Sequence, residues 1–456
     1  MNCIFICIFN NQKYIDMLYL LLESIFIFGN LDKNTEILIY TSTKFMNIIK
    51  NSHLFNDEKI KFEINDTYDT ISKACKARLD LFNFLCIDNY EKILYIDTDI
   101  IIRNEINKVF DVCQNHYLYA LEEGDIKDDS DYWGKSLFGE EINNYTETAA
   151  FSCGILLFKN CDEIKHLFQK INQDIIDRYH YFYDQPYIVY NAFKYNLNNN
   201  KVLKTVANNN DCSLFNDKIV IYHFPGCPGK CEYKLNIMTV FLNSLKDIRI
   251  ENIIENTKKI IDNYLMPIIN NSGELLEGSI FNQHHSTDYT DLFINKVKNI
   301  TSLILNKNIK NVMEIGFNAG FSALLMLVTN PNVKITCYDL GEHKYTISCY
   351  EVLKQLFQDR INIIIGDSTK TLKTDNNKYD LIHIDGGHST EVATSDIINS
   401  YRLSKKGTIL IMDDYDFYNL HPLWDYYKNE YNLKSLNIQI YNTHQHDIRF
   451  VSKDIK

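Results

Sequence analysis

Residues 92–99 read Lys-Ile-Leu-Tyr-Ile-Asp-Thr-Asp, a run of mostly apolar side chains that ends in two carboxylates. An apolar segment of this length is typical of a buried strand at the centre of a sheet. Because strand side chains alternate between the two faces, we expect Asp97 and Asp99 to point the same way. Two carboxylates on one face suit a hard divalent cation, although such triplets also cap helices or lie solvated in turns.

Length and composition limit the classes of protein to which this chain can belong. Its 456 residues are too many for one ordinary hydrophobic core and predict two or three domains. The net charge of -12, without any block of Lys or Arg, argues against nucleic acid as a partner. The 12 Cys lack the spacing of common zinc or redox sites, and no apolar run reaches membrane-spanning length. We therefore expect a cytoplasmic protein with free thiols and no membrane insertion.

The chain divides into three zones. Over residues 1–245, strand-like runs alternate with helical patterns, which predicts an α/β layered sheet. A helical stretch over residues 246–275 ends in Asn-Asn-Ser-Gly and is interpreted as a linker. Residues 276–456 form a second α/β alternation. Its predicted strands are 311–315, 334–338, 361–365, 381–385 and 408–412, and its predicted helices include 289–305 and 391–403.

Further candidate residues follow the predicted elements of the first zone. Asp184 and Gln185 open a helix through a proline, which places a carboxylate and an amide at a helix start. His223 ends a strand and is a candidate third ligand for the cation. Arg78 precedes the cation strand, where it either neutralises a phosphate or is a solvated helix charge. In residues 151–157 a turn of small residues leads into a strand, so that backbone can approach a ligand.

Together with Asn11 and Tyr14 after the first strand, these motifs resemble the glycogenin-like family 8 glycosyltransferases of the GT-A fold. The resemblance covers roughly residues 1–240 and implies retaining transfer of a hexose from a UDP-sugar with Mn2+ or Mg2+. The roles that it implies are cation binding for Asp97, Asp99 and His223, uracil contacts for Asn11 and Tyr14, diphosphate contact for Arg78, sugar or acceptor contact for Asp184, and a place near the anomeric carbon for Gln185. The family also has a lysine after a His-Phe-x-Gly motif, which here begins at His223. In this chain that lysine comes one position late, as Lys230.

A sugar-1-phosphate nucleotidyltransferase would have the same fold. That class needs a glycine-rich phosphate loop directly after the first strand, and residues 10–13 contain no glycine. The sequence therefore favours sugar transfer.

The second α/β zone opens with a cofactor-binding pattern. A predicted strand carries Glu314, and Gly316 and Gly320 follow in a turn that leads into a helix. Nicotinamide folds prefer three close glycines that admit a pyrophosphate, whereas Glu314 would repel a diphosphate and attract the amino group of a methionine. The pattern favours S-adenosylmethionine; a tight turn in an unrelated α/β domain is the alternative. Later strand ends offer Asp339 for the ribose, and Asp367 and Ser368 for the adenine.

Two acidic motifs end the next two strands of this zone. Asp385 follows one strand, and the pair Asp413 and Asp414 follows the other. Because neighbouring strand tips converge in a doubly wound sheet, we expect three carboxylates around one divalent cation. His388 is placed to act as general base, or it is a loop imidazole bonded to a nearby carboxylate. Residues 441–446 are expected to form a hairpin whose histidines bind no metal.

These residues resemble the class I methyltransferases related to cephalosporin hydroxylase and the sugar O-methyltransferases. The resemblance covers about residues 276–456. It implies a Rossmann-like fold that binds S-adenosylmethionine, a divalent cation and an acceptor hydroxyl.

The whole chain is therefore predicted to add a sugar to a glycan or glycoprotein acceptor and to O-methylate a sugar. Its Asn/Ile/Lys-rich composition and domain pairing resemble glycan-building enzymes of large DNA viruses, which act in the host cytoplasm. Two alternatives stay open: a glycan-binding scaffold with decayed catalytic domains, and methylation of a protein or small metabolite. The oligomeric state is also open.

Overall fold

A computed structural model describes residues 1–209, 216–226 and 231–455 of the chain. The chain divides into a first unit, made of Met1–Lys50 and Asn56–Asn243, and a second unit, made of Asn51–Phe55 and Ser244–Lys456. In the described ranges, no helix combines the length and the apolar character that crossing a membrane requires.

The first unit is an α/β structure built around a mixed sheet. Its described strands are β1 Asn2–Ile8, β2 Thr35–Thr41, β3 Ile60–Ile64, β4 Lys92–Ile96, β5 Ile100–Ile102, β6 Leu118–Asp125, β7 Ala149–Lys159, β8 Asn198–Asn199, β9 Ala207–Asn209 and β10 Ile221–His223. Its described helices are α1 Lys13–Ser24, α2 Thr43–Lys50, α3 Ile71–Ala74, α4 Asn107–Asp111, α5 Lys135–Phe138, α6 Asp162–Asp177 and α7 Gln185–Lys194. The strands form a large sheet in the order β3-β2-β1-β4-β7-β6-β8 and a small sheet in the order β5-β10-β9.

The predicted central strand, β4, lies between parallel β1 and antiparallel β7. Asp97 and Asp99 follow it in the short connection to β5, where the chain passes from the large sheet to the small one. Their alignment therefore comes from this connection and not from alternation along a strand, as the sequence suggested. Strand β5 pairs with β10, so that His223 lies opposite Ile100. The crossover thus brings the end of β10 beside the two carboxylates.

The second unit contains a sheet of mostly parallel strands. These are β11 Asn311–Ile315, β12 Lys334–Asp339, β13 Ile361–Ile365, β14 Tyr379–Ile384, β15 Ser404–Met412 and β16 Asp447–Phe450. The helices described from residue 231 onward are α8 Cys231–Ile260, α9 Met266–Ser272, α10 Ile294–Ile304, α11 Phe321–Thr329, α12 Thr346–Phe357, α13 Ser368–Thr371, α14 Thr390–Arg402 and α15 Leu420–Glu430. The sheet order is β13-β12-β11-β14-β15-β16, with β16 antiparallel to β15.

Two elements of the second α/β zone differ from the prediction. Residues 441–446 form no hairpin, because the backbone of Tyr441 bonds on both sides to the side chain of Asn299, 2.8 and 3.0 Å away. The helix expected at 289–305 begins only at Ile294, after a turn in which the amide of Ile294 donates to Asp291.

Candidate active sites

The first site lies where β4, β7 and β10 of the first unit meet. Asp97, Asp99 and His223 each direct one ligand atom into a group whose members are within 4.8 Å of one another. His223 Nδ1 lies 2.8 Å from Asn209 Oδ1, which directs Nε2 toward Asp99 Oδ1 at 3.5 Å. That oxygen of Asp99 is buried and has no hydrogen bond. A buried carboxylate oxygen without a donor is costly, so this donor set fits a bound cation.

A glycine provides the space at this cluster. A Cβ added to Gly154 would lie 2.4 Å from His223 Cε1 and 3.2 Å from Asp97 Oδ2. Gly154 belongs to the continuous strand β7 and not to the turn that the sequence suggested, and its carbonyl accepts from the amide of Asp97. The backbone therefore approaches the cluster closely, and a side chain at this position would displace the His223 ring and press on the Asp97 carboxylate.

A lysine holds one of the carboxylates in place. The ammonium of Lys234 donates a hydrogen bond to Asp99 Oδ2. Burial raises the pKa of Asp99, but the nearby imidazole of His223 and the ammonium of Lys234 outweigh it and hold the pKa well below its ordinary value. The sequence does not single out Lys234. The lysine predicted for this site, Lys230, lies outside the described residues.

Arg78 lies between two carboxylates. Its Nε is 2.9 Å from Asp184 Oδ2, one terminal nitrogen is 3.7 Å from Asp97 Oδ1, and the same nitrogen donates to the carbonyl of Cys153. Burial raises the pKa of Asp184, although the charge of Arg78 opposes that rise. Arg78 is thus a largely buried partner of two carboxylates and not the solvated helix charge that the sequence left open.

The remaining predicted residues of this site are Gln185, Asn11 and Tyr14. Gln185 Oε1 accepts from the amide of Cys153 at 3.2 Å, while its Nε2 is buried without a hydrogen bond. The amide of Tyr14 donates to the carbonyl of Asn11 at 3.1 Å. Burial, followed by nearby Cys and Asp side chains that include Asp97, raises the pKa of Tyr14 to about 12.

The second site is a cavity of about 1060 Å³ in the second unit. The predicted residues on its wall are Gly316, Asp339, Asp367, Ser368, Asp385, His388 and Asp414. A Cβ on Gly316, whose φ is +95°, would lie 1.9 Å from the carbonyl oxygen of Asp385. This glycine thus allows the chain beyond β11 to pass close to the end of β14. Gly320 likewise leaves room for a close contact, because the ring of Phe317 would be 2.4 Å from an added Cβ.

Two wall carboxylates shape the loops that carry them. Asp339 Oδ2 accepts from the amides of Phe317 and Asn318, both at 2.8 Å, and so fixes the turn after β11. Asp367 accepts from the amide of Thr369 at 2.9 Å. Hydrogen bonds from Thr369 and Lys370 lower the pKa of Asp367 to about 2, so it is ionised at neutral pH.

Glu314 lies beneath this cavity and not on its wall. Its side chain is fully buried, with Oε1 3.1 Å from His383 Nδ1 and Oε2 3.5 Å from Cys337 Sγ. These partners occupy the paired positions on the two neighbouring strands. The expectation that Glu314 faces a bound methionine does not fit this placement.

A buried chain of charges runs from Glu314 to Asp413 through His383. Asp413 Oδ2 lies 3.1 Å from His383 Nε2 and 3.4 Å from His446 Nε2. Burial lowers the pKa of His383, but hydrogen bonds to Asp413 and Glu314 outweigh it and raise the pKa to about 10. His383 is therefore a positively charged imidazolium at neutral pH. The sequence pattern of its strand did not predict that it would link two buried carboxylates.

The structure brings Asp385, Asp413 and Asp414 together, with one oxygen of each within 4.8 Å of the others. It also places a cation among them. The ammonium of Lys296, on α10, contacts Asp413 Oδ1 and lies 3.2 Å from Asp414 Oδ1. Lys296 is only 7% exposed. An ammonium of the protein therefore lies at the carboxylates where the sequence predicts a divalent ion.

His388 lies at the edge of the same cavity. Its Nε2 is 3.2 Å from Asp414 Oδ2, and the hydrogen bond raises the pKa of His388 above its ordinary value. Both interpretations of His388 are compatible with this geometry, since it is bonded to a carboxylate and also lines the cavity.

Comparison with known proteins gives each unit a family. Residues 22–227 match the family described as Glycosyl transferase family 8, and residues 313–415 match a family described as Methyltransferase domain. The chain combines a family 8 glycosyltransferase domain with a methyltransferase domain. This confirms the predicted fold class of both halves. The glycosyltransferase family implies a UDP-sugar and a divalent cation, and the methyltransferase family implies S-adenosylmethionine.

Individual relatives cover only parts of the chain. A release factor glutamine methyltransferase from Clostridium botulinum is 27% identical over 86 residues, which are 19% of this chain and 30% of that protein. The WbbM bifunctional glycosyltransferase structure is 16% identical, covers 49% of this chain and 45% of its own, and has a TM-score of 0.38. The structure of a putative caffeoyl-CoA O-methyltransferase from Staphylococcus aureus is 18% identical, covers 43% of this chain and 99% of its own, and has a TM-score of 0.31. The chain thus spans less than half of the first two relatives.

The side chains that the sequence did not identify come from helices distant in sequence. Lys234 lies on α8 of the glycosyltransferase site, and Lys296 lies on α10 of the methyltransferase site. Lys296 shares a helical stripe with buried Ile300 and Leu303, at i, i+4 and i+7. A lysine in an apolar stripe is a signal that a search for charged residues in apolar faces could find.

Proposed function

We propose that the chain is a bifunctional enzyme that transfers a hexose from a UDP-sugar, with retention at the anomeric carbon, and O-methylates a sugar hydroxyl. The observation that carries the first activity is the cluster of Asp97, Asp99 and His223 within the family 8 match. Its buried oxygen without a hydrogen bond supports a cation at this position. The cavity of the second unit, with His388 at its edge, supports the second activity.

In the glycosyltransferase domain, Asp97, Asp99 and His223 would hold Mn2+ or Mg2+. Such a cation supplies positive charge to the leaving diphosphate. Asn11 and Tyr14 would frame the uracil, and Asp184 would meet the sugar or the acceptor. Gln185 is held through its Oε1 by the Cys153 amide, so its Nε2 remains to donate to the donor sugar.

In the methyltransferase domain, Asp339 would accept from the ribose hydroxyls, and Asp367 with Ser368 would face the adenine. S-adenosylmethionine held there would supply the methyl group: its S–CH3 bond would break as the acceptor oxygen forms the new C–O bond, which would leave S-adenosylhomocysteine. His388 takes the proton of the acceptor hydroxyl. Because Asp414 accepts from Nε2–H, Nδ1 is the atom that receives this proton.

The two reactions would act on one pathway of glycan assembly. Fusion raises the local concentration of the glycosylated product near the second active site. A glycan or glycoprotein is the acceptor in this proposal. The resemblance to enzymes of large DNA viruses would place the reactions in the cytoplasm of a host cell.

The test of the first activity uses the full chain, a panel of UDP-hexoses and Mn2+, with release of UDP as the readout. We expect slow donor hydrolysis by the wild type and its loss in Asp99→Asn. Asp129→Asn is the matched control, because Asp129 is an almost fully exposed carboxylate of the same unit. Equal turnover by wild type and Asp99→Asn would reject the assignment.

The test of the second activity begins with cofactor binding by calorimetry. S-adenosylmethionine should bind to the wild type, and its binding should weaken in Asp339→Asn. Mass spectrometry of oligosaccharides, peptides and small metabolites incubated with the chain then identifies the methylated class. Methylation of peptides alone would contradict a sugar acceptor.

A further inference from the structure

We propose that the ammonium of Lys296 takes the place of a divalent cation in the methyltransferase domain and holds the acceptor oxygen there. The inference rests on the proposed methyl transfer, but the position of the Lys296 ammonium does not depend on the identity of the acceptor. It makes Lys296 a positioning group for a reaction that needs no metal in this unit.

The first support is the position of Lys296. Helix α10 places it against the ends of β14 and β15, where its ammonium contacts Asp413 and Asp414. The side chain is 7% exposed, so the ammonium is enclosed beside these carboxylates. Separating a buried ammonium from its carboxylate partners costs free energy. This cost opposes the displacement of the Lys296 ammonium by an ion from solution.

The second support is the number of carboxylate oxygens that the protein already occupies. Asp413 Oδ1 faces Lys296, and its Oδ2 faces His383 and His446. Asp414 Oδ1 faces Lys296, and its Oδ2 faces His388. All four oxygens of the pair thus have a cationic or imidazole partner. A divalent ion needs about six oxygen ligands, so beyond the oxygens of Asp385 it would have to displace those partners.

The glycosyltransferase site provides an internal comparison. There Lys234 occupies only Oδ2 of Asp99, and Oδ1 remains buried without a hydrogen bond. His223 Nε2 lies 3.5 Å from this oxygen, without a hydrogen bond. The oxygens of Asp413 and Asp414 are more closely occupied, because each faces an ammonium or imidazole nitrogen at 3.2 Å or less.

The replacement also limits the acceptor. A lysine ammonium has three N–H donors, and Asp413 and Asp414 account for two of them. The third donor suits a single acceptor oxygen, whereas a divalent ion would chelate two neighbouring hydroxyls. A lone hydroxyl beside His388 is therefore sufficient, and a vicinal diol is not required.

The test counts Mn2+ ions bound by the full chain, from the loss of the free-ion signal in electron paramagnetic resonance. Wild type should bind one Mn2+, in the glycosyltransferase site, and Asp99→Asn should bind none. Adding Lys296→Met to Asp99→Asn should create one new site at the vacated carboxylates. Adding Lys298→Met instead should create none, because Lys298 lies on the same helix over the ring of Tyr441.

The variants that keep Lys296 test the proposal even if the Lys296→Met variant does not fold. If Asp99→Asn binds one Mn2+ and Asp99→Asn/Asp414→Asn binds none, the proposal is overturned. If wild type itself binds no Mn2+, the cation of the proposed sugar transfer fails while the Lys296 proposal stands. The two failures are therefore distinguishable in one titration series.

Discussion

Asp396 gives a quantitative prediction, because burial of its carboxylate outweighs the effect of the donor beside it. It lies on α14 and is 1% exposed, and the hydroxyl of Ser368 opposes the effect of burial only in part. Its Oδ2 lies 2.6 Å from the position that a Cβ of Gly386 would take. Burial raises the pKa of Asp396 from 3.8 to about 7. We predict that Asp396→Asn removes a pH-dependent loss of stability from the second unit.

The sign follows from proton linkage. A carboxyl whose pKa is raised by folding binds more protons in the folded state, so stability falls as pH rises between the unfolded and the folded pKa. The full difference between 3.8 and about 7 corresponds to about 4 kcal/mol. Most of this loss lies above about pH 5, so we expect about 2 kcal/mol between about pH 5 and pH 8 after allowance for local relaxation.

The assay is urea unfolding of the full chain followed by tryptophan fluorescence. The chain has two tryptophans, Trp133 in the first unit and Trp424 in the second. A Trp133→Phe background therefore reports the second unit alone through Trp424, which is fully buried. In that background, Asp396→Asn should gain about 2 kcal/mol relative to its parent on going from about pH 5 to pH 8.

The matched control is Asp288→Asn, which changes an exposed carboxylate of the same unit. It should show no pH-dependent gain. A parallel pH dependence of parent and Asp396→Asn would refute the reasoning, because it would mean that the Asp396 carboxylate is solvated or paired in the folded protein.

Three further predictions concern the sites. Gly154→Ala should lower Mn2+ affinity by about 10–100-fold, because its Cβ would meet the His223 ring, and unchanged calorimetric affinity would contradict this. His388→Ala should slow methyl transfer by about 100- to 10,000-fold. The wild-type rate should rise with pH through a pKa above 6.5, because the bond to Asp414 raises the pKa of His388, and a flat profile would count against it as the base. Gly316→Ala should cost about 1–3 kcal/mol and abolish S-adenosylmethionine binding, since its Cβ would overlap the Asp385 carbonyl; a normal melting curve would refute this.

The sequence was most informative where local pattern decides the outcome. Strands β11 and β13 were predicted residue for residue, because short apolar runs bounded by turn residues have few alternatives. The acidic residues after β14 and β15 meet as expected, because the carboxyl ends of neighbouring parallel strands lie together. For Asp97 and Asp99, proximity was expected for a different reason from the observed one, which is the crossover between two sheets.

The rest depends on tertiary contacts that no local pattern contains. Whether Glu314 faces the cavity or the strand neighbours is decided by His383 and Cys337, and both lie on other strands. Lys234 and Lys296 reach their carboxylates from helices far away in sequence. Acidic motifs predict where negative charge collects, but the side chain that neutralises it can come from any element that packs nearby.

This distinction changes how paired carboxylates at strand ends are interpreted. Three close acidic groups repel one another and require positive charge, but that charge can be an ion from solution or a side chain of the protein. The number of buried oxygens left without a donor separates the two cases. At Asp99 one oxygen has no hydrogen bond, which is the position that we propose for a cation. At Asp413 both oxygens face Lys296 or histidine, so the charge comes from the fold itself. The sequence motifs alone predicted a metal ion at both sites. The two sites differ in the number of carboxylate oxygens that already have a donor of the protein beside them.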